Sequence, residues 1–206
     1  GHGSKMLDLI KNENPDAKIM SIKVFNGSTT DAASVYAGIK LAIENDVKII
    51  NLSLVGADVE KNSIVKEAIQ EAIDKDIVVI GSAGNYNLSA TKFIPGCIDK
   101  VITIGASNSD GTKKSSSNYD VDYYVVADST SEATAIFTGM YSANITEDAR
   151  LYDGDFNPTV IVEPTEPAEP QYESLDEAFA DGLSRALGTT YYMNDDGQLV
   201  VEIPRE

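Results

Sequence analysis

The chain has 206 residues, enough for one sizeable core and an appendage, and its 42% apolar and 24% charged content is that of a globular protein. A formal net charge of -17 argues against nucleic acid as a partner, since neutralising phosphates needs clustered Lys and Arg, and no run of eighteen apolar residues offers a membrane span. The single Cys97 excludes an internal disulfide framework, and without a Cys/His cluster neither a metal nor any other cofactor is expected.

The charge is uneven. Up to Ile145 there are 18 acidic and 13 basic residues; from Thr146 onward there are 15 and 3. This shift predicts a core over residues 1–145, an acidic Pro-rich linker over 146–170 containing Glu163-Pro164-Thr165-Glu166-Pro167, and an appendage over 171–206.

Taken in order, a first helix places Met6, Leu7 and Ile10 on one face and ends near Asn14-Pro15. Ala17 to Phe25 reads as a strand. From Thr30, the expected N-cap, a helix carries Val35, Ile39, Ala42 and Ile43 to Asn45, and Val47 to Leu54 is the next strand. A helix from Asn62 or Ser63 turns Ile64, Val65, Ala68, Ile69, Ala72 and Ile73 inward. Ile77 to Ile80 is a strand entering the turn Gly81-Ser82-Ala83-Gly84-Asn85; strands follow at Val101 to Ala106 and Val121 to Ala127, then a small-residue helix from Thr130 to Asn144. Alternation of helices with nearly continuous apolar strands predicts an α/β fold, a parallel sheet with helices on both faces in three layers. In the tail, Ser174-Leu175-Asp176-Glu177 has capping-box spacing, and Tyr191 to Met193 with Leu199 to Ile203 predicts a hairpin.

A side-chain amide beyond the carboxyl end of a strand is a natural donor to an oxyanion, so Asn85 draws attention. The same turn could cradle a phosphate, or Asn85 could only cap it. Acyl transfer also needs a hydroxyl nucleophile and an imidazole to take its proton, and His2 and Ser131, each at a helix start, are the candidates. On chemistry alone, Ser131 could equally be an N-cap.

The local sequences resemble those of the subtilisin-like serine proteases, the subtilases. Gly1-His2-Gly3-Ser4 is similar to the histidine motif, Ile50-Asn51-Leu52-Ser53-Leu54 to the cleft strand, and Ser82-Ala83-Gly84-Asn85 to the oxyanion-hole motif. Thr130-Ser131-Glu132-Ala133 with Gly139 resembles the nucleophile motif. The resemblance covers roughly residues 1–145 and implies a serine endopeptidase acting on peptide or protein substrates through an acyl-enzyme. It implies His2 as base and acid, Ser131 as nucleophile and Asn85 as oxyanion donor, with Ser53, Leu54, Val55 and Gly84 binding substrate. Family habit also implies a secreted or cell-surface location.

The chain departs from that pattern. The family's Asp precedes the histidine motif, and nothing here precedes Gly1, which is not an initiator Met; the chain reads as truncated or processed, and inactive or weak as it stands. Ser129 stands where Gly is expected, Ala135 and Ile136 replace Pro-His, Val55 replaces a cleft Gly, and the segment before Ser131 is short. A second reading is therefore a degenerate subtilase that binds peptides or regulates a partner, and a third a nucleotide-binding domain using Gly81 to Gly84. The missing strand would leave a gap in the sheet, expected to be filled by an N-terminal fragment, a second chain or the tail segment Thr159 to Val162.

Overall fold

Apolar residues that alternate sides along a strand need cover on both faces, and the sheet receives it. The computed structural model describes residues 1–58 and 62–143 together with strand residues 161–162, 190–193 and 199–202. Its main sheet comprises β1 (Ile49–Leu52), β3 (Val78–Ser82), β5 (Ile102–Ser107), β6 (Tyr123–Val126) and β7 (Ile161–Val162), in the order β1-β3-β5-β6-β7. The first four are mutually parallel, with Asn51 opposite Ile80, Ile80 opposite Ile102 and Gly105 opposite Tyr124. Ile50, Leu52 and Val79 face one layer, made by α2 (Ala32–Glu44) and α3 (Ser63–Asp74); Val78, Ile80, Ile104 and Val125 face α4 (Thr130–Ala143). The expected three-layer α/β architecture is therefore present.

Beyond α4 lies α1 (His2–Glu13), running parallel to it. Lys5 meets Glu132 near their N-termini, and Asn14 Nδ2 donates to Ser142 Oγ near their C-termini. Gly139 permits the close approach, because a Cβ there would stand 2.8 Å from Ile10 O and 2.6 Å from Glu13 Cβ. A short antiparallel ribbon, β2 (Gly56–Ala57) with β4 (Phe93–Ile94), lies past the end of β1.

Several expectations need correction. Residues 17–25 do not form a strand: Ile22 and Val24 pack under α2 and Ile19 against α1, with Met20 and Ser21 both exposed between them, and among the described residues no neighbouring strand supplies a ladder. The N-cap of α2 is Asp31, whose carboxylate accepts Ser34 N–H at 2.7 Å, while the Thr30 hydroxyl donates to Val24 O. Ile64, expected to face inward, is 37% exposed. The tail residues Ile161–Val162 do not fill a gap beside β1; they pair antiparallel with Tyr124 and Val125 at the opposite edge. The hairpin is present as β8 (Thr190–Met193) against β9 (Leu199–Glu202), whereas the capping-box helix lies outside the described residues.

Candidate active site

Parallel strands bring their carboxyl ends to one rim, so Ser53 after β1, Gly84-Asn85 after β3 and Thr130-Ser131 after β6 must lie near one another. Their meeting point is the first turn of α4. Ser129 caps this helix: its Oγ accepts Glu132 N–H at 3.3 Å. Ser131 is therefore not the cap, and its hydroxyl instead donates to Ser53 O at 3.1 Å. Ser53 Oγ in turn donates to Ser131 O at 2.9 Å. The pair is braced from beneath, since Asn51 Nδ2 donates to Ser53 Oγ at 3.0 Å and Thr138 Oγ1 donates to Asn51 Oδ1 at 2.9 Å.

His2, exposed at the start of α1, reaches the same carbonyl: its Nε2 lies 3.3 Å from Ser53 O. Base and hydroxyl candidates thus share one acceptor. Among the described residues no carboxylate forms an ion pair with His2; Asp8 is exposed and Asp128 pairs with Lys114 at 2.9 Å. That pairing, chiefly the hydrogen bond from Lys114, holds the Asp128 carboxyl below its ordinary range.

On the other side, Asn85 Oδ1 accepts Thr130 N–H at 3.0 Å, which fixes the amide and leaves its Nδ2 hydrogens for another acceptor. Thr130 is fully buried; its Oγ1 lies 2.7 Å from Ser82 Oγ and accepts Gly84 N–H at 3.2 Å. Gly84 has φ +101, a backbone conformation that side chains disfavour, and a Cβ there would come within 2.7 Å of Asn118 Nδ2. Instead of opening a helix, the turn leads through an irregular stretch to a single 3-10 turn at Ala90–Lys92, which removes the dipole-assisted phosphate cradle the third reading required. Leu54 packs inward against the α2/α3 cluster, and Val55 against Leu88 and Phe93.

Other residues of this rim carry no motif. Asn118 is fully buried, accepts Tyr86 and Leu88 N–H at 2.9 and 3.0 Å, and donates to Ala83 O at 2.7 Å. It builds the Asn85 turn from thirty or more residues away, so no local signal marks it. Ser129 is visible in the sequence only as a departure, and Thr138 only as a helix residue. Lys5 and Glu132, 2.7 Å apart, tie the His2 helix to the residue beside Ser131. Among the described residues, no cluster of three or more His, Cys, Asp or Glu side chains could hold a metal ion, and no helix is long and apolar enough to cross a membrane.

A family model described as the subtilase family matches residues 2–176, extending past Ile145. The chain is 34% identical over 138 residues to an intracellular serine protease of Paenibacillus polymyxa, covering 59% of this chain and 42% of that protein. It is 32% identical over 121 residues to an extracellular serine proteinase of a Thermus species, covering 58% of this chain and 28% of that protein. The chain thus spans less than half the length of these curated relatives. In fold it resembles a solved lanthipeptide protease, with a TM-score of 0.59 at 17% identity over 69% of this chain and 60% of that one.

Proposed function

The chain belongs to the subtilase family, and from that membership we propose that it is the core of a serine endopeptidase that hydrolyses peptide bonds through an acyl-enzyme on Ser131. The observation that carries this is the convergence of Ser131 Oγ and His2 Nε2 on Ser53 O, with the Asn85 amide anchored to the preceding residue, Thr130.

In this reading an extended peptide adds as a strand along Ser53, Leu54 and Val55, with Gly84 on the facing wall. As the peptide settles, the Ser131 hydroxyl leaves Ser53 O and turns to His2, which takes its proton while Oγ attacks the carbonyl carbon. The oxyanion receives N–H from Asn85 Nδ2 and from the backbone at the start of α4. Collapse of the tetrahedral adduct breaks the C–N bond, and His2 returns the proton to the departing amine. Water then repeats the sequence in reverse on the ester, releasing the acid and restoring Ser131.

Within the same proposal a further strand, from an N-terminal fragment or a second chain, adds beside β1 and supplies the carboxylate for His2. Two observations support it: among the described residues β1 pairs with β3 alone, and residues 17–25 lie extended without a ladder. Lack of such a carboxylate costs about 10⁴-fold in turnover in related triads. Export is proposed from the Thermus relative's name alone, against the opposite name of the Paenibacillus one.

The test is labelling by a fluorophosphonate. The expected result is a single adduct on Ser131, absent from Ser131→Ala and slowed in His2→Ala. Folded protein that binds peptides yet takes no label with or without an added strand would replace this reading with that of a peptide-binding module.

A further inference from the structure

We infer that this cleft takes peptides whose residue on the acyl side of the scissile bond is glycine or alanine, because Val55 and Tyr86 jointly fill the space a larger side chain there would need. This rests on the acyl-transfer reading above.

The two walls of the cleft are Ser53–Val55 and Gly84–Tyr86. Both are tied to the first turn of α4: Ser53 by reciprocal bonds of 2.9 and 3.1 Å with Ser131, Gly84 N–H to Thr130 Oγ1 at 3.2 Å, and Asn85 Oδ1 to Thr130 N–H at 3.0 Å. Their separation at the reacting atoms is therefore set. A carbonyl carbon within reach of Ser131 Oγ, its oxygen turned to Asn85 and its chain running along Ser53–Val55, has one direction left for the adjoining side chain, which is into the gap between the walls.

One or two residues past the bonded atoms, both walls send side chains into one apolar cluster, in which Val55 and Tyr86 pack against the buried Leu88 and Phe93. The Tyr86 ring stacks on that of Phe93 with centroids 5.2 Å apart and planes 8° from parallel. Neither wall is free to swing outward. Asn118 Oδ1 holds the backbone at Tyr86 and Leu88, and the β2–β4 ribbon, with Ala57 opposite Phe93, holds the wall that carries Val55. A methyl group fits beside such a plug; an aromatic or long aliphatic side chain must break the stack.

The probes are peptidyl diphenylphosphonates that differ only in the residue bearing phosphorus, glycine, alanine or phenylalanine, compared with a fluorophosphonate that carries no such side chain. The full chain should label at least about 10-fold faster with the alanine than with the phenylalanine probe, in keeping with discrimination by packed apolar pockets. Val55→Gly and Tyr86→Ala should each move the Phe:Ala ratio toward phenylalanine by about 10-fold, a ratio that any general loss of activity leaves unchanged. As a check that needs neither variant, Ser131→Ala protein should bind an acetylated tetrapeptide ending in alanine more tightly than one ending in phenylalanine, by a similar factor. Equal rates for the two probes, equal affinities, or a ratio unmoved by both substitutions overturns the inference while leaving Ser131 as the nucleophile. No reaction even with the fluorophosphonate, with or without an added strand, overturns the acyl-transfer reading and this inference with it.

Discussion

Asn118 makes its hydrogen bonds from a fully buried side chain, and its partners are backbone groups of the turn that carries Asn85. In Asn118→Leu those groups lose their partner in a dry site, at about 1–3 kcal/mol for each group left unsatisfied. Urea unfolding should show a loss of several kcal/mol, and unchanged stability would mean that the turn holds itself. Tyr124 gives a pH signature at the same scale. Burial, helped by Asp120, pushes its phenol from 10.0 up to about 12. Since the folded value is the higher, the stability it contributes is present below pH 10 and lost as pH rises toward 12. That amounts to roughly 2–3 kcal/mol at 1.36 kcal/mol per unit. Thermal unfolding of the protein against Tyr124→Phe from pH 8 to 12 should show the parent falling relative to the variant; parallel curves would contradict it. Of these residues the sequence marks Asn85 and Ser131 by local motif, but not Asn118, whose role exists only once distant segments meet.

The α1–α4 pair shows what elements contribute. Met6 and Ile10 pack with Ala135, and Gly139 lets the backbones touch, so the position of His2 relative to Ser131 depends on how closely two helices lie. Gly139→Ala would gain helix propensity of about 1 kcal/mol, yet its methyl meets Ile10 O and Ile10 Cα, backbone atoms that cannot step aside. The expected outcome is a lower melting temperature together with slower fluorophosphonate labelling. A higher melting temperature with full labelling would show that the helices yield. Hydrophobic periodicity located each helix because burial repeats every third or fourth residue. It misplaced Ile64, and the expected cap Thr30 gives way to its neighbour Asp31, since helix ends are decided by local contacts that periodicity does not carry.

Across the whole molecule, the sheet is well buried at β3 and β5, and β1 is paired on the β3 side alone among the described residues. Amides of Val78–Ser82 should exchange with solvent only on global unfolding, whereas those of Ile49–Leu52 that point away from β3 should exchange at least about 100-fold faster, as expected where opening is local. Adding a strand-donating fragment should slow the second group selectively. Uniform protection across both strands in the chain alone would remove the case for an added strand. The same view accounts for residues 17–25: their apolar side chains pack, Ala17 and Ile19 on the α1 cluster and Ile22 and Val24 on the α2/α3 cluster, but a strand also needs a ladder partner.

The amino-acid sequence by itself determined the α/β class and the order of the helices and of β1, β3, β5 and β6, and it marked His2, Asn85 and Ser131 by motif, because periodicity and short motifs are local properties of a chain. Only the tertiary structure decided that Ser129 rather than Ser131 caps α4, that the His2 ring and the Ser131 hydroxyl share the Ser53 carbonyl, and that Val55 and Tyr86 pack on one apolar cluster with Leu88 and Phe93. The cap is local, but where α4 begins and the other two arrangements depend on contacts between segments far apart in the chain. Such contacts follow from how the sheet and its helices pack in three dimensions, which residue spacing does not encode.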